Sequence, residues 1–217
     1  GTDVATIEVV ATGVLWTISV APDPADEGET VTLTVEVTGV PTSTLYTLDV
    51  DWGDSTTTTG VAVPQSPLLP NVSVVSIPHV FADDQPVGAD TFEIEVKLIL
   101  HFGAFSGQLG ASKTEEITLD NVAPTASIVV TPPAAAGGAF TFDAVIVEPG
   151  ADAVDITWDF GDGVVVTGAP STISHVFTGA SVVTLTVTDD DGGVGTANVF
   201  VTPATAIGAG SGTEAAL

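Results

Sequence analysis

Aspartates stand close together at two places in the sequence, and both groups could bind a hard cation. Asp189, Asp190 and Asp191 are consecutive and precede two glycines, while Asp159 and Asp162 flank a Phe-Gly pair. Neighbouring carboxylates repel one another, and Ca²⁺ prefers oxygen ligands. Either group is therefore a candidate metal site, and calcium is the cofactor to expect there. The alternative for both groups is that the carboxylates are solvated or hydrogen-bonded to the backbone of a turn.

The sequence offers little for catalysis or for a softer metal. It contains no cysteine and three histidines, and its only basic residues are Lys97 and Lys113. Residues for a zinc cluster, a thiolate nucleophile or a cationic oxyanion site are therefore lacking, as is a Gly-x-Ser-x-Gly nucleophile elbow. We expect that the protein is not an enzyme, and that His79 and His175 form local hydrogen bonds.

The net charge is strongly negative. The 217 residues carry 28 acidic and two basic side chains, for a formal charge of −26. Such a surface repels phosphate backbones and anionic lipid headgroups, so we expect binding neither to nucleic acid nor to a membrane surface. No apolar run approaches the roughly 18 residues of a membrane-spanning helix, so membrane insertion is not expected either. Cations, or a protein partner that buries carboxylates, would relieve the repulsion.

Apolar and polar residues alternate along many short segments, and this pattern predicts β-strands. Val31, Leu33, Val35 and Val37 are separated by threonine or glutamate, which is the period of two expected of a half-buried strand. Pro- and Gly-rich turns separate such segments, and no segment has helical spacing. The sequence therefore predicts an all-β fold of the sandwich class, with the cation candidates on the turns between strands.

Three blocks occur twice in the same order, so the chain contains an internal repeat. Each block begins or continues a strand pattern, and the first contains an aromatic-Gly-Asp turn. The paired blocks are 48–54 with 156–162, 79–81 with 175–177, and 88–96 with 179–187. We therefore expect two domains of similar fold.

The second repeat resembles the PKD domain family. It contains Trp-Asp-Phe-Gly-Asp-Gly at 158–163, His-Val-Phe at 175–177 and Asp-Asp-Asp-Gly at 189–192, in the order of that family's motifs. The first repeat departs from the pattern, because Trp52 stands where the second repeat has Phe160 and its middle is longer. The resemblance implies two tandem immunoglobulin-like sandwiches of the PKD type.

These comparisons divide the chain into four parts. Residues 1–20 are expected to form an N-terminal strand or extension, 21–120 the divergent first domain with a long insertion, 121–203 the second domain, and 204–217 an Ala- and Gly-rich tail. The insertion contains a sequon for N-glycosylation at Asn71, whose use the sequence leaves open.

Three functions suit a non-enzymatic chain of this kind. The first is a structural or adhesive protein outside the cell, a subunit of a surface layer, filament or adhesin that assembles with itself or with neighbouring subunits. The second is a virion decoration or fibre protein. The third is an accessory module of a secreted hydrolase, which would bind carbohydrate or protein through an exposed aromatic platform, with Trp16 and Tyr46 as candidates.

Overall fold

Every regular element that the structure describes is a β-strand, which confirms the predicted all-β class. The computed structural model describes residues 13–39, 45–64, 72–82, 91–102, 105–108 and 112–203. Within these ranges there is no helix that could span a membrane. The chain divides into two compact units, Gly1–Asn121 and Val122–Leu217. The 204–217 tail and Asn71 lie outside the described residues.

The first unit contains two sheets. One has the strand order β1-β3-β6, and the other has the order β2-β9-β7-β4-β5 with β8 paired to β7. All pairings are antiparallel except β2 with β9, which is parallel. The strands are β1 (Leu15–Ala21), β2 (Ala25–Asp26), β3 (Thr30–Thr38), β4 (Leu45–Asp51), β5 (Thr57–Ala62), β6 (Val72–Val80), β7 (Thr91–Phe102), β8 (Phe105–Gln108) and β9 (Lys113–Asp120).

The second unit also contains two sheets, with strand orders β10-β11-β14 and β13-β12-β15-β16. All of its pairings are antiparallel. The strands are β10 (Thr125–Thr131), β11 (Phe140–Val147), β12 (Asp155–Asp159), β13 (Val165–Thr167), β14 (Thr172–His175), β15 (Ser181–Thr188) and β16 (Val194–Val201).

Each unit has its own core, built from the inward residues of the alternating strands. In the first unit Val31, Leu33, Val35 and Val37 of β3 are fully buried, and the threonines between them face outward. The second core is an aromatic cluster around Phe142, whose ring lies within about 6 Å of four other aromatic rings of the unit, measured between centroids. The apolar alternation in the sequence therefore marks the core correctly.

Strand pairing corrects the third block of the repeat alignment. The sequence sets Val96 against Val187. In the structure Val50 of β4 lies opposite Val96 of β7, and the equivalent Trp158 of β12 lies opposite Leu185 of β15. Val96 therefore corresponds to Leu185, two positions earlier. A shift of two residues leaves every side chain on the same face, so alternation alone could not reveal it.

The first sandwich begins before residue 21. Strand β1 pairs along its whole length with β3, from Leu15 opposite Thr38 to Ala21 opposite Thr32. Its inward side chains, including Trp16 and Ile18, pack against the core of the first unit. The described part of the N-terminal segment is thus an edge strand of the first unit.

Candidate functional site

Two acidic loops lie at the same end of the second sandwich. The loop after β11 covers residues 148–154, and the loop between β15 and β16 covers residues 189–193. Asp155, the first residue of β12, lies opposite Thr188, the last residue of β15, and Thr188 lies opposite Val194 of β16. Strand pairing therefore places both loops together.

Three carboxylates from these loops converge. One oxygen from each of Asp152, Asp190 and Asp191 lies within 4.8 Å of the other two, so the three could bind one cation. Asp190 Oδ1 also accepts a hydrogen bond from the Ala153 N–H at 3.0 Å, which joins the two loops. Asp191 Oδ2 is buried and accepts no hydrogen bond from the described residues. Oxygen ligands at this density match the preference of Ca²⁺ for carboxylates.

Asp189 has a different place from its two neighbours. It is only 5% exposed, and its Oδ1 accepts a hydrogen bond from the Gly193 N–H at 2.6 Å. Its own N–H donates to the Gly193 carbonyl at 3.1 Å, which closes the turn. The structure thus brings Asp190 and Asp191 together with Asp152, which sequence analysis missed, and uses Asp189 to hold the turn.

Glu148 adds a further carboxylate to this end of the unit. Burial raises the pKa of Glu148, the nearby backbone of Gly150 partly opposes this, and the charges of Asp189 and Asp190 raise the pKa further. A raised pKa means that the charged form is disfavoured where it lies. A cation nearby would remove this penalty, so the electrostatics agree with the geometry.

The second predicted pair, Asp159 and Asp162, lies at the opposite end of the same sandwich. Asp159 Oδ1 accepts from the Gly161 N–H at 2.8 Å, and Asp162 Oδ1 accepts from the Val164 N–H at 3.2 Å. Asp162 Oδ2 accepts from His175 Nε2 at 2.7 Å. These contacts occupy the carboxylates with backbone and histidine groups, so the geometry favours the turn-stabilising alternative for this pair.

The same arrangement recurs in the first unit. Asp51 Oδ1 accepts from the Gly53 N–H at 3.1 Å, and His79 Nε2 lies 2.7 Å from Asp54 Oδ2. The His79 ring stacks on Trp52 with centroids 4.2 Å apart, as His175 stacks on Phe160 at 4.1 Å. The local hydrogen bonding expected of both histidines is thereby confirmed.

These histidines lower the pKa values of their aspartates. For Asp54, burial raises the pKa, but hydrogen bonds from Thr56 and His79 outweigh it, and the net pKa lies below the ordinary value of 3.8. For Asp162, the hydrogen bond from His175 is the main cause of a lowered pKa. A carboxyl whose pKa is lower in the folded protein stabilises the fold above its unfolded pKa and loses that effect as pH falls.

We expect the fold to lose stability as pH falls below about 4, and the Asp54→Asn variant to lose less in the first unit. The reason is that acid protonates Asp54 in the wild type, whereas the amide has no charge to lose. Urea unfolding followed by Trp fluorescence at pH 6, 4 and about 3 measures this difference. Equal pH dependence in both proteins would show that the His79–Asp54 contact carries no such linkage.

The two aromatic residues proposed as a ligand platform do not form one. Tyr46 is 2% exposed and belongs to the first core. Trp16 packs against the same core, and Lys113 Nζ lies 5.3 Å from the centroid of its ring. Among the described aromatic residues, Phe200 on β16 is instead strongly exposed, at 65%.

Comparison with known proteins finds a family match for the second unit. A model of the PKD domain family matches residues 121–203. A search of curated protein sequences gives no match. The chain is similar to the Ig1–Ig3 ectodomain of mouse nectin-like molecule 4, with a TM-score of 0.39 and 16% identity over 86% of this chain and 63% of that one. It is also similar to red sea bream transglutaminase, with a TM-score of 0.32 and 15% identity over 87% of this chain and 31% of that one.

The chain thus spans less than two thirds of either structural neighbour. The family match covers the whole described part of the second unit, residues 122–203, and it includes the aromatic-Gly-Asp turn, the stacked histidine and the acidic loop after β15. Residues 121–203 of this chain thus match the PKD domain family over the whole described second unit.

Proposed function

We propose that this protein is a non-enzymatic structural or adhesive module outside the cell, a subunit of a surface layer, filament or adhesin that assembles through contacts between β-sandwiches. PKD domains are typically non-catalytic and extracellular, and they commonly bind other proteins. A net charge of −26 suits such a protein, because it keeps free subunits apart until a specific contact forms.

One observation carries the proposal. The aromatic, histidine and aspartate residues that the two units share all stabilise turns and core edges, as the stacked His79 and His175 do. Residues repeated in this way serve the scaffold of each unit and form no open site. A repeated scaffold without a repeated reaction centre is what a spacer or adhesive protein requires.

We also propose that the first unit is a divergent member of the same family, so that the two sandwiches are tandem PKD domains. Support comes from its Trp52-Gly53-Asp54 turn, its stacked histidine and its matching strand pairing. The two units differ in the long segment before β6, which the second unit lacks. The domain bounds suggested are 21–120, extended at its start by β1, and 121–203.

Localisation tests the main proposal. Antibodies raised against the folded chain should label intact cells of the source organism as strongly as permeabilised ones, and externally added protease should remove the label. An antibody to a ribosomal protein, which should label permeabilised cells alone, is the control. Label that appears only after permeabilisation would contradict an extracellular role.

We propose that calcium binds at Asp152, Asp190 and Asp191, with Glu148 beside them. The proposal rests on the convergence of the three oxygens within 4.8 Å and on the raised pKa of Glu148. Calcium would bridge the loop after β11 and the loop after β15, and it would offset the repulsion among four carboxylates. Asp159 and Asp162 are not included, because backbone groups and His175 occupy them.

Calcium at 100 times its Kd should raise the unfolding temperature of the second unit by about 10 to 20 °C, since it stabilises the folded state by about 2.7 kcal/mol. Asp191→Asn should abolish the shift, whereas Glu148→Gln should raise stability in chelator, because it removes a carboxylate whose charged form is disfavoured. Differential scanning calorimetry with calcium, magnesium or chelator measures these effects.

The matched control is Asp155→Asn, which removes an exposed carboxylate next to the same end of the unit but outside the three. It should keep the calcium response of the wild type. An equal loss of the response in Asp155→Asn and Asp191→Asn would show a diffuse charge effect. No response in the wild type would refute the site.

A further inference from the structure

Charge is distributed unevenly over the outer faces of the sheets. The outer face of β4, β7 and β9 in the first unit is densely acidic, and like charges lie directly opposite each other, as Asp51 does to Glu95 and Glu93 does to Glu116. Lys97 is the one cation on these three strands' outer face, with Nζ 2.7 Å from Glu95. Such a face repels every other copy of the chain.

The outer face of the other sheet, β1-β3-β6, has the opposite character. We call it the first hydroxyl face; it carries hydroxyl and aliphatic side chains and a single carboxylate, Glu36. Its exposed aliphatic residues include Leu15, Val74 and Val80. The hydroxyl residues that face outward are Thr17, Ser19, Thr30, Thr32, Thr34, Thr38 and Ser76.

The equivalent sheet of the second unit, β10-β11-β14, repeats this character, and we call its outer face the second hydroxyl face. Val129, Val145 and Val147 are exposed by 52%, 47% and 60%. Its one carboxylate, Asp143, accepts a hydrogen bond from Thr172 Oγ1 at 2.6 Å. The remaining outward residues carry hydroxyls and are Thr125, Ser127, Thr131, Thr141 and Ser174.

We propose that the two hydroxyl faces bind the hydroxyl faces of other copies of this chain. The inference rests on the proposed function and names the surface through which the subunits would assemble. A partner that carries the same charge of −26 can approach only through a face that is nearly free of carboxylates. Both units present that face on the equivalent sheet.

The chemistry of these faces is self-complementary. A hydroxyl group both donates and accepts, so a threonine row can pair with a copy of itself, as a symmetric contact between identical subunits requires. Valine methyl groups likewise pack against valine without a directional partner. The exposed Val129, Val145 and Val147 supply apolar area between these hydroxyls, and Asp143 lies opposite Val129 on the central strand.

The size of each face predicts weak association. With three strands of about seven residues, a face measures about 23 by 14 Å, which is an area of about 320 Å². A stable interface buries roughly 800 Å² per partner, which is more than twice that area. One contact alone would therefore be short-lived. Two such faces on each chain allow growth beyond a dimer, and salt should strengthen association because it screens the repulsion between subunits.

Sedimentation velocity on the full chain in chelator, over a concentration series at about 0.1 M and about 1 M NaCl, tests the inference. The weight-average mass of the wild type should rise with concentration and rise further at high salt. Val74→Glu with Val145→Glu should keep the protein monomeric. Leu45→Glu with Val194→Glu adds the same charge at exposed sites outside the hydroxyl faces and should assemble as the wild type does.

A second measurement does not depend on whether the charged variants fold. The chain has no cysteine, so Ser127→Cys creates a single thiol on the second hydroxyl face, and Thr196→Cys creates one on the opposite sheet. A short bismaleimide should link Ser127→Cys chains into dimers in proportion to concentration, and Thr196→Cys chains at least tenfold less. Equal yields would overturn the inference.

The remaining outcomes separate this inference from the proposed function. Assembly of the wild type that Val74→Glu with Val145→Glu leaves intact would reject the hydroxyl faces but keep a self-assembling protein. A wild type that stays monomeric under every condition would reject both. Monomers that sediment with an insoluble neutral polysaccharide, and that lose this binding in Val74→Glu with Val145→Glu, would assign the faces to a glycan, and that too would overturn the inference.

Discussion

Replacing Gly161 by alanine should unfold the second unit or nearly so, with a loss of at least about 4 kcal/mol, whereas the same change at Gly163 should cost about 1 to 2 kcal/mol. Both glycines have left-handed backbones, with φ of +69° and +94°. An alanine Cβ at Gly161 would overlap the carbonyl oxygen of Val182, but a Cβ at Gly163 would meet no atom within 4 Å. The difference between the variants therefore isolates the overlap from the backbone strain.

In the first unit Gly53 is the equivalent of Gly161, and Gly60 on β5 is a control with open space around it. A Cβ at Gly53 would lie 2.7 Å from the Glu93 carbonyl oxygen, and one at Gly60 would meet nothing within 4 Å, with φ of +82° and +71°. Calorimetry of the full chain should show an unfolding transition for each unit. In Gly161→Ala the transition of the second unit should be lost or move to a much lower temperature, and in Gly53→Ala the transition of the first unit should do so. Equal stability of Gly161→Ala and Gly163→Ala would refute the close approach between the turn and β15.

Phe142→Ala should destabilise the second unit by about 3 to 5 kcal/mol, while Phe200→Ala should change its stability by no more than about 0.5 kcal/mol. Phe142 is fully buried and contacts Phe140, Trp158, Phe160 and Phe177. Removal of its ring leaves a cavity that these rigid neighbours cannot fill. Phe200 is the same residue type on the solvent side of β16 and buries little.

Urea unfolding of the two variants measures this contrast, with Trp158 fluorescence as a probe within the same core. Both variants should keep the wild-type slope of unfolding free energy against urea concentration if only their stability changes. A small effect of Phe142→Ala would mean that the aromatic cluster is not the centre of the second core. A large effect of Phe200→Ala would mean that its ring is covered in solution, which would point to a contact on that sheet.

Much of the fold follows from the sequence, because strand alternation is a strong local pattern. The runs from Val31 to Val37 and from Val183 to Val187 lie in strands with the apolar residues buried. The register between strands does not follow in the same way. A two-residue slip, such as that between Val187 and Leu185, keeps every side chain on its face, so only the pairing in three dimensions reveals it.

The candidate site could be predicted only in part, for a reason of geometry. Asp190 and Asp191 can be recognised as a candidate site because they are consecutive. Asp152 is nearly 40 positions away and follows a Pro-Gly turn, and nothing in that segment indicates a metal ligand. The two loops meet because β12 pairs with β15, a long-range contact. The unequal roles of Asp189 and its neighbours likewise depend on the turn closed by Gly193.

The uneven distribution of charge was equally inaccessible from the sequence. Glu36 and Glu95 both stand in alternating strands, and only the sheet order shows that the first lies on a nearly neutral face and the second on an acidic one. Net charge is a property of the whole chain, whereas the charge of each face depends on which strands are neighbours in the sheet.

Because both lysines lie in paired strands of the first unit, cleavage by trypsin measures how often that unit unfolds. Lys97 lies inside β7, opposite Asp49 of β4, and Lys113 begins β9, opposite Val96 of β7. A protease must release a strand from its neighbours before it can cleave there. Residues 122–217 contain no lysine or arginine at all. The rate of tryptic cleavage therefore reports the unfolding of the first sandwich alone, and the second can leave the digest as one intact fragment.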